Sequence, residues 1–163
     1  MPTITAATVP SDPTSGNEDW YAATDDVVVV LDGATIRTDT GCRHGLRWYV
    51  HQLGTALLAG AADAESDLRQ VLRDAITHVR GLHEDTCDLE HPGTPSAAVG
   101  IVRRNGQDIE WCTLADITVM VEHAGGLHVE ADERVSATAP EERSACHQFP
   151  IGSPEKLEAI VAM

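Results

Sequence analysis

The chain has 163 residues, 42% of them hydrophobic and 4% aromatic, and its formal net charge is -15 at pH 7. This length fits one domain with a single core, and the hydrophobic fraction excludes a chain that is disordered throughout. The negative charge excludes the basic face that nucleic-acid binding needs, and it opposes docking on an anionic membrane.

Three features of the sequence indicate the cellular compartment of the protein. No apolar run is long enough to predict a transmembrane helix, and the N-terminus lacks the basic and apolar segments of a secretory signal. The four cysteines follow no repeated short spacing, which fits reduced thiols. We therefore expect a cytoplasmic protein.

The first predicted elements are strands. A weak alternation over residues 3–9 predicts an opening strand, and the turn-rich segment 10–19 predicts a loop. Residues 21–24 and 27–31 predict two strands joined by a tight hairpin. The second of them does not alternate, so we expect it to be buried on both faces.

Two amphipathic helices follow, because apolar residues recur at helical spacing over residues 46–57 and again over 68–82. The break between them contains Asp63, which we expect to be the N-cap of the second helix. Glu65 would then lie in its first turn, where a carboxylate is favourable.

An antiparallel meander comes next, with strands predicted over residues 96–103, 109–114, 118–122 and 127–129. Asn105-Gly106 predicts a hairpin whose two central residues both have positive φ, and Gly125-Gly126 predicts a second hairpin. The order of strands, two helices and then strands indicates an α+β fold. Residues 131–148 predict loop, and Ser153-Pro154-Glu155 predicts the start of a last short helix.

Acidic residues recur where predicted strands begin or end. Asp32 and Gly33 end the buried strand, Glu18 and Asp19 lie in the preceding loop, and Asp116 lies within the meander. A hairpin would bring the first four to one end of the sheet. Carboxylate and carbonyl oxygens are the ligands that hard divalent cations prefer. Each acid alone is more typical of a turn than of a metal site.

Three motifs around these acids resemble the metal-dependent protein phosphatases of the 2C type, the PPM family. They are NEDW at 17–20, VVVLDGAT at 28–35, and GTPSAAVGIVRRNGQDIEWCTLADITVMV at 93–121. The resemblance covers about residues 17–133, with the motifs in order. It implies an antiparallel β-sandwich flanked by helices, a site for two Mg²⁺ or Mn²⁺ ions, and a phosphorylated protein as substrate.

The resemblance also implies a role for each acid. Asp32 would bridge both ions, and Gly33 would offer its backbone carbonyl to one of them. Glu18 would hold a metal-bound water, Asp19 would support the site, and Asp116 would bind an additional metal. A water activated by the two ions would attack the phosphorus of phosphoserine or phosphothreonine.

The sequence departs from the family pattern at several positions. Ala34 and Thr35 stand where the family has a histidine and a double glycine after Asp-Gly, Ala115 and Ile117 replace a glycine and a serine, and no arginine precedes Arg37. Nothing after residue 133 resembles the family's two later aspartates. We therefore expect residues 1–139 to be the N-terminal portion of such a domain, followed by a poorly patterned tail over 140–163.

This incompleteness predicts weak metal affinity and impaired hydrolysis, and open sheet edges that favour self-association. The alternative from another class is a non-catalytic binding or regulatory module that keeps the fold. A gene fragment without a function of its own is a third alternative.

Two other groups of residues raise competing hypotheses. His83, Cys87 and His91 are spaced by four residues, as ligands of a zinc site could be, but the segment runs off the predicted helix towards Pro92. We interpret it as a solvated helix end. Cys42-His44 and Cys146-His147 indicate no thiol nucleophile, because neither has a recognisable base and orienting group. Arg103 and Arg104 are interpreted as a solvated hairpin tip.

Overall fold

The computed structural model describes residues 3–10, 14, 16–34, 40–138, 144, 148–150 and 153–161. Six strands and four helices lie within these ranges. In chain order they are β1 (Trp20–Ala23), β2 (Val27–Gly33), α1 (Leu46–Ala61), α2 (Leu68–His83), β3 (Ala97–Asn105), β4 (Asp108–Leu114), β5 (Thr118–His123), β6 (Gly126–Ala131), α3 (Arg134–Ala137) and α4 (Pro154–Val161).

The strands form two antiparallel sheets. One has four strands in the order β1-β2-β3-β4, and the other is the β5-β6 hairpin. In the larger sheet Trp20 lies opposite Leu31, Asp32 opposite Ala98, and Val99 opposite Leu114. The element order of strands, helices and antiparallel strands is the one predicted.

The core lies between the four-stranded sheet and the two long helices. Val27, Val29 and Leu31 of β2 point into it, together with Leu53 and Leu57 of α1 and further residues of α2 and β3, namely Val71, Val79, Val99 and Ile101. Burying these aliphatic faces drives the packing of helices on sheet.

The prediction that β2 is buried on both faces is wrong. Its burial alternates, and Val30 on the outer face is 40% exposed. The helices cover only one face of the sheet. The uniformly apolar sequence of β2 therefore does not mean that both of its faces are buried.

The prediction of an opening strand over residues 3–9 is also wrong, because residues 3–10 form no strand. This segment instead lies along the outer face of the sheet. It encloses, with Tyr21, Val28 and Val30, a cavity of about 510 Å³. Residues 3–9 are all exposed, so the weak alternation of their side chains does not report burial here.

The N-cap of α2 is Asp67, not Asp63. The Asp67 carboxylate accepts a hydrogen bond from the Gln70 backbone N–H at 2.8 Å. Asp63 caps the preceding turn instead, accepting from the backbone N–H of Glu65 at 3.1 Å. Aspartate is favoured both at the start of a turn and at the N-cap of a helix, so either residue suits either role. The geometry of the α1–α2 connection decides which of the two caps α2.

Both predicted hairpins are present, but each loop is shifted along the chain. Asn105 pairs with Asp108, so the first loop is 106–107, and Gly106 there takes a φ of 63°. His123 pairs with Gly126, so the second loop is 124–125. Asn105 therefore remains in the ladder and does not take the positive φ that was predicted for it.

Arg103 is not part of a solvated hairpin tip, because it is only 4% exposed. Its guanidinium donates to the carbonyl oxygens of Asp63 at 2.6 Å and Ser66 at 2.8 Å and pairs with the Glu110 carboxylate. The arginine thus joins the α1–α2 connection to the meander. Arg104, in contrast, is exposed and pairs with Asp26, as a surface ion pair.

The last helix begins as predicted, with the Ser153 hydroxyl accepting from the Lys156 backbone N–H at 3.2 Å. The loop predicted over 131–148 contains α3, while residues 139–143 and 145–147 lie outside the described residues. No helix in the described part of the chain is long and apolar enough to cross a membrane. The division of the chain at residue 139 stays a prediction.

Candidate active site

The pairing of β1 with β2 positions the first acids. Trp20 lies opposite Leu31, so continuing the same register by two residues places Asp19 opposite Asp32 and Glu18 opposite Gly33. Opposed residues project to the same face of a sheet. Asp19 and Asp32 thus lie side by side on the face that the helices leave uncovered.

Gly33 allows the chain to pass close to this end of the sheet. A Cβ at this position would lie 2.5 Å from the backbone oxygen of Glu18, which is closer than atoms of these types approach. A side chain larger than hydrogen would push the Glu18–Asp19 segment away from β2. The glycine therefore serves the close approach of two backbones.

Hydrogen bonds fix the loop that carries Glu18 and Asp19. The Asn17 side-chain oxygen accepts from the Asp19 backbone N–H at 3.0 Å, which is an Asx-type turn. The Thr8 hydroxyl donates to the Asp19 carboxylate at 2.6 Å and accepts from the Asn17 amide at 2.8 Å. Thr8 is a supporting residue that the sequence did not indicate, and Asn17 is the first residue of the NEDW motif.

Asp116 reaches the same end of the sheet from the turn after β4. The preceding Ala115 takes a φ of 63°, and its N–H donates to Asp132 at 3.4 Å. The following Ile117 lies over Gly100, where a Cβ would be 2.7 Å from the Ile117 methyl group. Gly100 thus leaves the space in which the 115–117 turn packs beside β2 and β3.

The acids act on one another electrostatically. The pKa of Asp32 is raised above its ordinary value, and the largest cause is partial burial of its side chain. The negative charges of Asp19 and Asp116 raise it further, and that of Glu18 does so more weakly. The carboxyl groups of Asp19 and Asp32 are near enough to share a hydrogen bond when one is protonated. Sequence segments separated by up to about a hundred residues thus converge on one carboxylate.

A divalent cation fits this donor set. Like charges in close proximity oppose ionisation of Asp32, and a cation among them would reverse that effect. The donors are hard oxygens, which suit Mg²⁺ or Mn²⁺ rather than a thiophilic metal. The structure brings the predicted acids together, and their assignment as metal ligands stays a prediction.

Arg47 lies beside the same loop and was missed by sequence reasoning. It is in the first turn of α1, and its guanidinium Nη1 lies 2.5 Å from where a Cβ of Gly16 would be. The family pattern places its phosphate-binding arginine N-terminal to the Asn-Glu-Asp motif, where this sequence has none. Arg47 follows that motif by some thirty residues, so no local pattern could indicate it.

Comparison with known proteins shows what this arrangement of elements resembles. No protein-family model matches the sequence, and no curated protein is significantly similar to it. Among solved structures, the serine/threonine phosphatase PstP/Ppp of Mycobacterium tuberculosis matches with a TM-score of 0.52 over 84% of this chain. The fold is that of the PPM Ser/Thr phosphatases. MsPP from Mycobacterium smegmatis, solved in complex with cacodylate, matches with a TM-score of 0.54 over 83% of this chain.

The likeness is distant in sequence and partial in extent. Identity is 17% to each of the two phosphatases, and the chain matches 59% of the length of each. The resemblance inferred from the three motifs is confirmed at the level of the fold, as is the α+β class with antiparallel sheets and flanking helices.

Proposed function

We propose that this chain is a phosphatase-like domain of PPM type that binds Mn²⁺ or Mg²⁺ through Asp32, Gly33, Glu18 and Asp116, with Asp19 in support. Its substrate would be a protein phosphorylated on serine or threonine. One observation carries the proposal: the β1–β2 register and the turn after β4 bring Glu18, Asp19 and Asp116 to the end of the sheet where Asp32 lies, within a fold that phosphatases share.

Each residue would have a distinct part in holding the metal ions. Asp32 lies at the centre of the acids and would bridge two ions, with the Gly33 carbonyl beside it. Glu18 and Asp19 would orient water through their carboxylates, and Thr8 would hold Asp19 in place through its 2.6 Å hydrogen bond. Asp116 would serve a further ion. When bound, the ions would polarise phosphoryl oxygens and lower the pKa of a coordinated water.

Arg47 would bind the phosphoryl group of the substrate. An arginine fork pairs two hydrogen bonds with phosphate oxygens, and this one lies against the loop that carries the acids. It would supply the positively charged side chain that the sequence lacks before the Asn-Glu-Asp motif. The proposal therefore predicts that Arg47→Lys weakens substrate binding more than it weakens metal binding.

Weak metal affinity and slow turnover are part of the proposal. Two six-coordinate ions have about twelve coordination positions, and Asp32 with the acids around it would fill only part of them. Water would fill many of the remaining positions, so both ions would exchange readily. Self-association through the sheet edges at β1 and β4 stays a prediction.

Calorimetric titration with Mn²⁺ tests the site directly. The wild-type chain should show a heat of Mn²⁺ binding. Asp32→Ala should abolish this heat, and Asp108→Ala should leave it unchanged. Asp108 is an exposed acid in the hairpin at the opposite end of β3 and β4, so it controls for the change in net charge. Equal heats from the wild type and Asp32→Ala would overturn the metal-site proposal.

Hydrolysis of p-nitrophenyl phosphate and of phosphothreonine peptides tests the activity. We expect slow, Mn²⁺-dependent turnover that Asp32→Ala abolishes. Brisk turnover would refute the impairment. Metal binding with no turnover of either substrate would support the alternative, a non-catalytic binding or regulatory module with the same fold.

A further inference from the structure

Two cysteines and a histidine form a cluster away from the acids. The side chains of Cys42, His83 and Cys87 place one sulfur or nitrogen atom each within 4.8 Å of one another. Cys42 Sγ lies 3.5 Å from His83 Nδ1. Cys42 belongs to the segment before α1, and the other two lie at the end of α2 and just after it.

The backbone holds the two segments together at this point. Cys42 and Cys87 form an isolated antiparallel bridge, with the Asp88 N–H donating to the Gly41 carbonyl at 2.9 Å. The Cys87 N–H donates to the His83 carbonyl at 2.9 Å, across the turn that follows α2. The three side chains are therefore fixed by main-chain contacts rather than placed by flexible loops.

The distances match tetrahedral zinc coordination. Zn–S bonds of about 2.3 Å and Zn–N bonds of about 2.0–2.1 Å at a tetrahedral angle place sulfur and nitrogen roughly 3.5 Å apart. Two sulfur ligands of the same ion are then roughly 3.8 Å apart. The sulfur atoms of Cys42 and Cys87 lie within 4.8 Å of each other, which is compatible with that spacing.

The surroundings favour a neutral complex. Cys42 and His83 are buried, at 8% and 3% exposure, and the Trp48 and Tyr49 rings lie 5.3 and 6.4 Å from the His83 ring. Two thiolates and one neutral imidazole around a divalent ion have no net charge, so such a complex can lie among these rings. Cys87 is half-buried, which leaves an approach from solvent.

We propose that Cys42, His83 and Cys87 bind a Zn²⁺ ion, with water in the fourth position, and that the ion joins the segment before α1 to the end of α2. The soft sulfur ligands select zinc over the Mg²⁺ or Mn²⁺ that suits the acidic site.

This site corrects two interpretations made from the sequence. His83 is not at a solvated helix end, and the third ligand is Cys42 rather than His91. Cys42 and His83 are 41 residues apart, so four-residue spacing along the chain could not indicate their contact.

Cobalt substitution tests the proposal in the full-length chain. In a reduced C112S/C146S background, Cys42 and Cys87 are the only thiols of the four in the sequence. We expect one Co²⁺ per chain, with the visible absorption of tetrahedral cobalt and a thiolate-to-metal charge-transfer band, and displacement by Zn²⁺. Cys42→Ser, Cys87→Ser and His83→Ala should each remove the thiolate bands. His78→Ala, an exposed histidine of the same helix, and Asp32→Asn should keep them.

Alkylation of the wild-type chain provides a test that does not depend on variants that fail to fold. Cys87 and Cys112 are both half-buried, and Cys112 lies outside the cluster, so it serves as the internal control. Zn²⁺ should slow the reaction of Cys87 with N-ethylmaleimide at least tenfold and leave that of Cys112 unchanged. Absence of cobalt thiolate bands, or equal alkylation of Cys87 with and without zinc, would overturn the site.

Discussion

Asp19 and Asp32 oppose each other at the end of the first hairpin, on the face of the sheet that the helices leave uncovered. The side chain of Asp19 is held by Thr8 at 2.6 Å, so it cannot turn away from Asp32 without breaking that bond. A pair of opposed like charges is destabilising across a sheet. The protein maintains it because β1–β2 pairing and the core beneath fix the backbone.

Replacing Asp32 with Asn should stabilise the metal-free chain at neutral pH. Because burial and the neighbouring acids raise the pKa of Asp32 above 3.8, the folded state binds more protons than the unfolded state just above that pH. Stability should therefore fall as pH rises from 3.8 through the folded pKa, and the penalty should be complete above it. Asp32→Asn removes this penalty and the associated pH dependence.

Thermal unfolding in EDTA between pH 3 and 7 measures this effect. The Tm difference between Asp32→Asn and wild type should be larger at pH 7 than at pH 3.5. Asp108→Asn controls for the change in net charge and should not reproduce the difference. A Tm of Asp32→Asn at or below that of wild type at pH 7 would show that the acids do not repel one another.

Gly54→Ala should destabilise the fold by about 1–3 kcal/mol, since a Cβ there would overlap the indole ring of Trp20. Gly81→Ala is the matched control within α2, where nothing lies within 4 Å of the added Cβ. That change should stabilise the fold by about 0.5–1 kcal/mol through helix propensity. Urea unfolding measures both, and stabilisation by both substitutions would contradict the close packing of Trp20 on α1.

Ala115→Gly should stabilise the fold by about 0.5–1 kcal/mol. Ala115 takes a φ of 63°, and this left-handed conformation costs an alanine about 1–2 kcal/mol. Part of that gain is lost to the greater freedom of glycine in the unfolded chain. Chemical denaturation measures the difference, and Ala137→Gly, in a short exposed helix, should be neutral or destabilising. Destabilisation by Ala115→Gly would show that the turn has another conformation.

Arg103→Met should destabilise the fold by about 2–4 kcal/mol, because the carbonyl oxygens of Asp63 and Ser66 and the Glu110 carboxylate lose their donor. Arg104→Met removes the neighbouring exposed pair with Asp26 and should cost at most about 1 kcal/mol. Equilibrium denaturation in urea compares the two. Equal effects would mean that Arg103 is solvated in solution.

Part of the fold was predictable because it depends on local pattern. Helical spacing of apolar residues predicted α1 and α2 close to their observed bounds, and the hairpin residues predicted the meander. The weaker signals gave wrong results where a local pattern has two structural causes. The alternation over 3–9 belongs to an exposed segment that forms no strand, and two aspartates four residues apart, Asp63 and Asp67, could each cap α2.

The acids of the candidate site were also predictable, since Glu18, Asp19, Asp32 and Asp116 lie in motifs that can be read in order. Arg47, Thr8 and the environment of Arg103 were not. Their contacts join residues that are far apart in the chain, and periodicity contains no information about which distant side chain will fill a given space.

The sequence by itself determined which segments become helix or strand and which chemical groups stand at their ends, because both follow from neighbouring residues. Only the tertiary structure decided that the helices cover one face of β2 and not the other, that Arg103 is buried, and that Cys42 lies beside His83 and Cys87. Those outcomes depend on how helices, sheet and loops pack, and a burial or contact between remote residues exists only after that packing has formed.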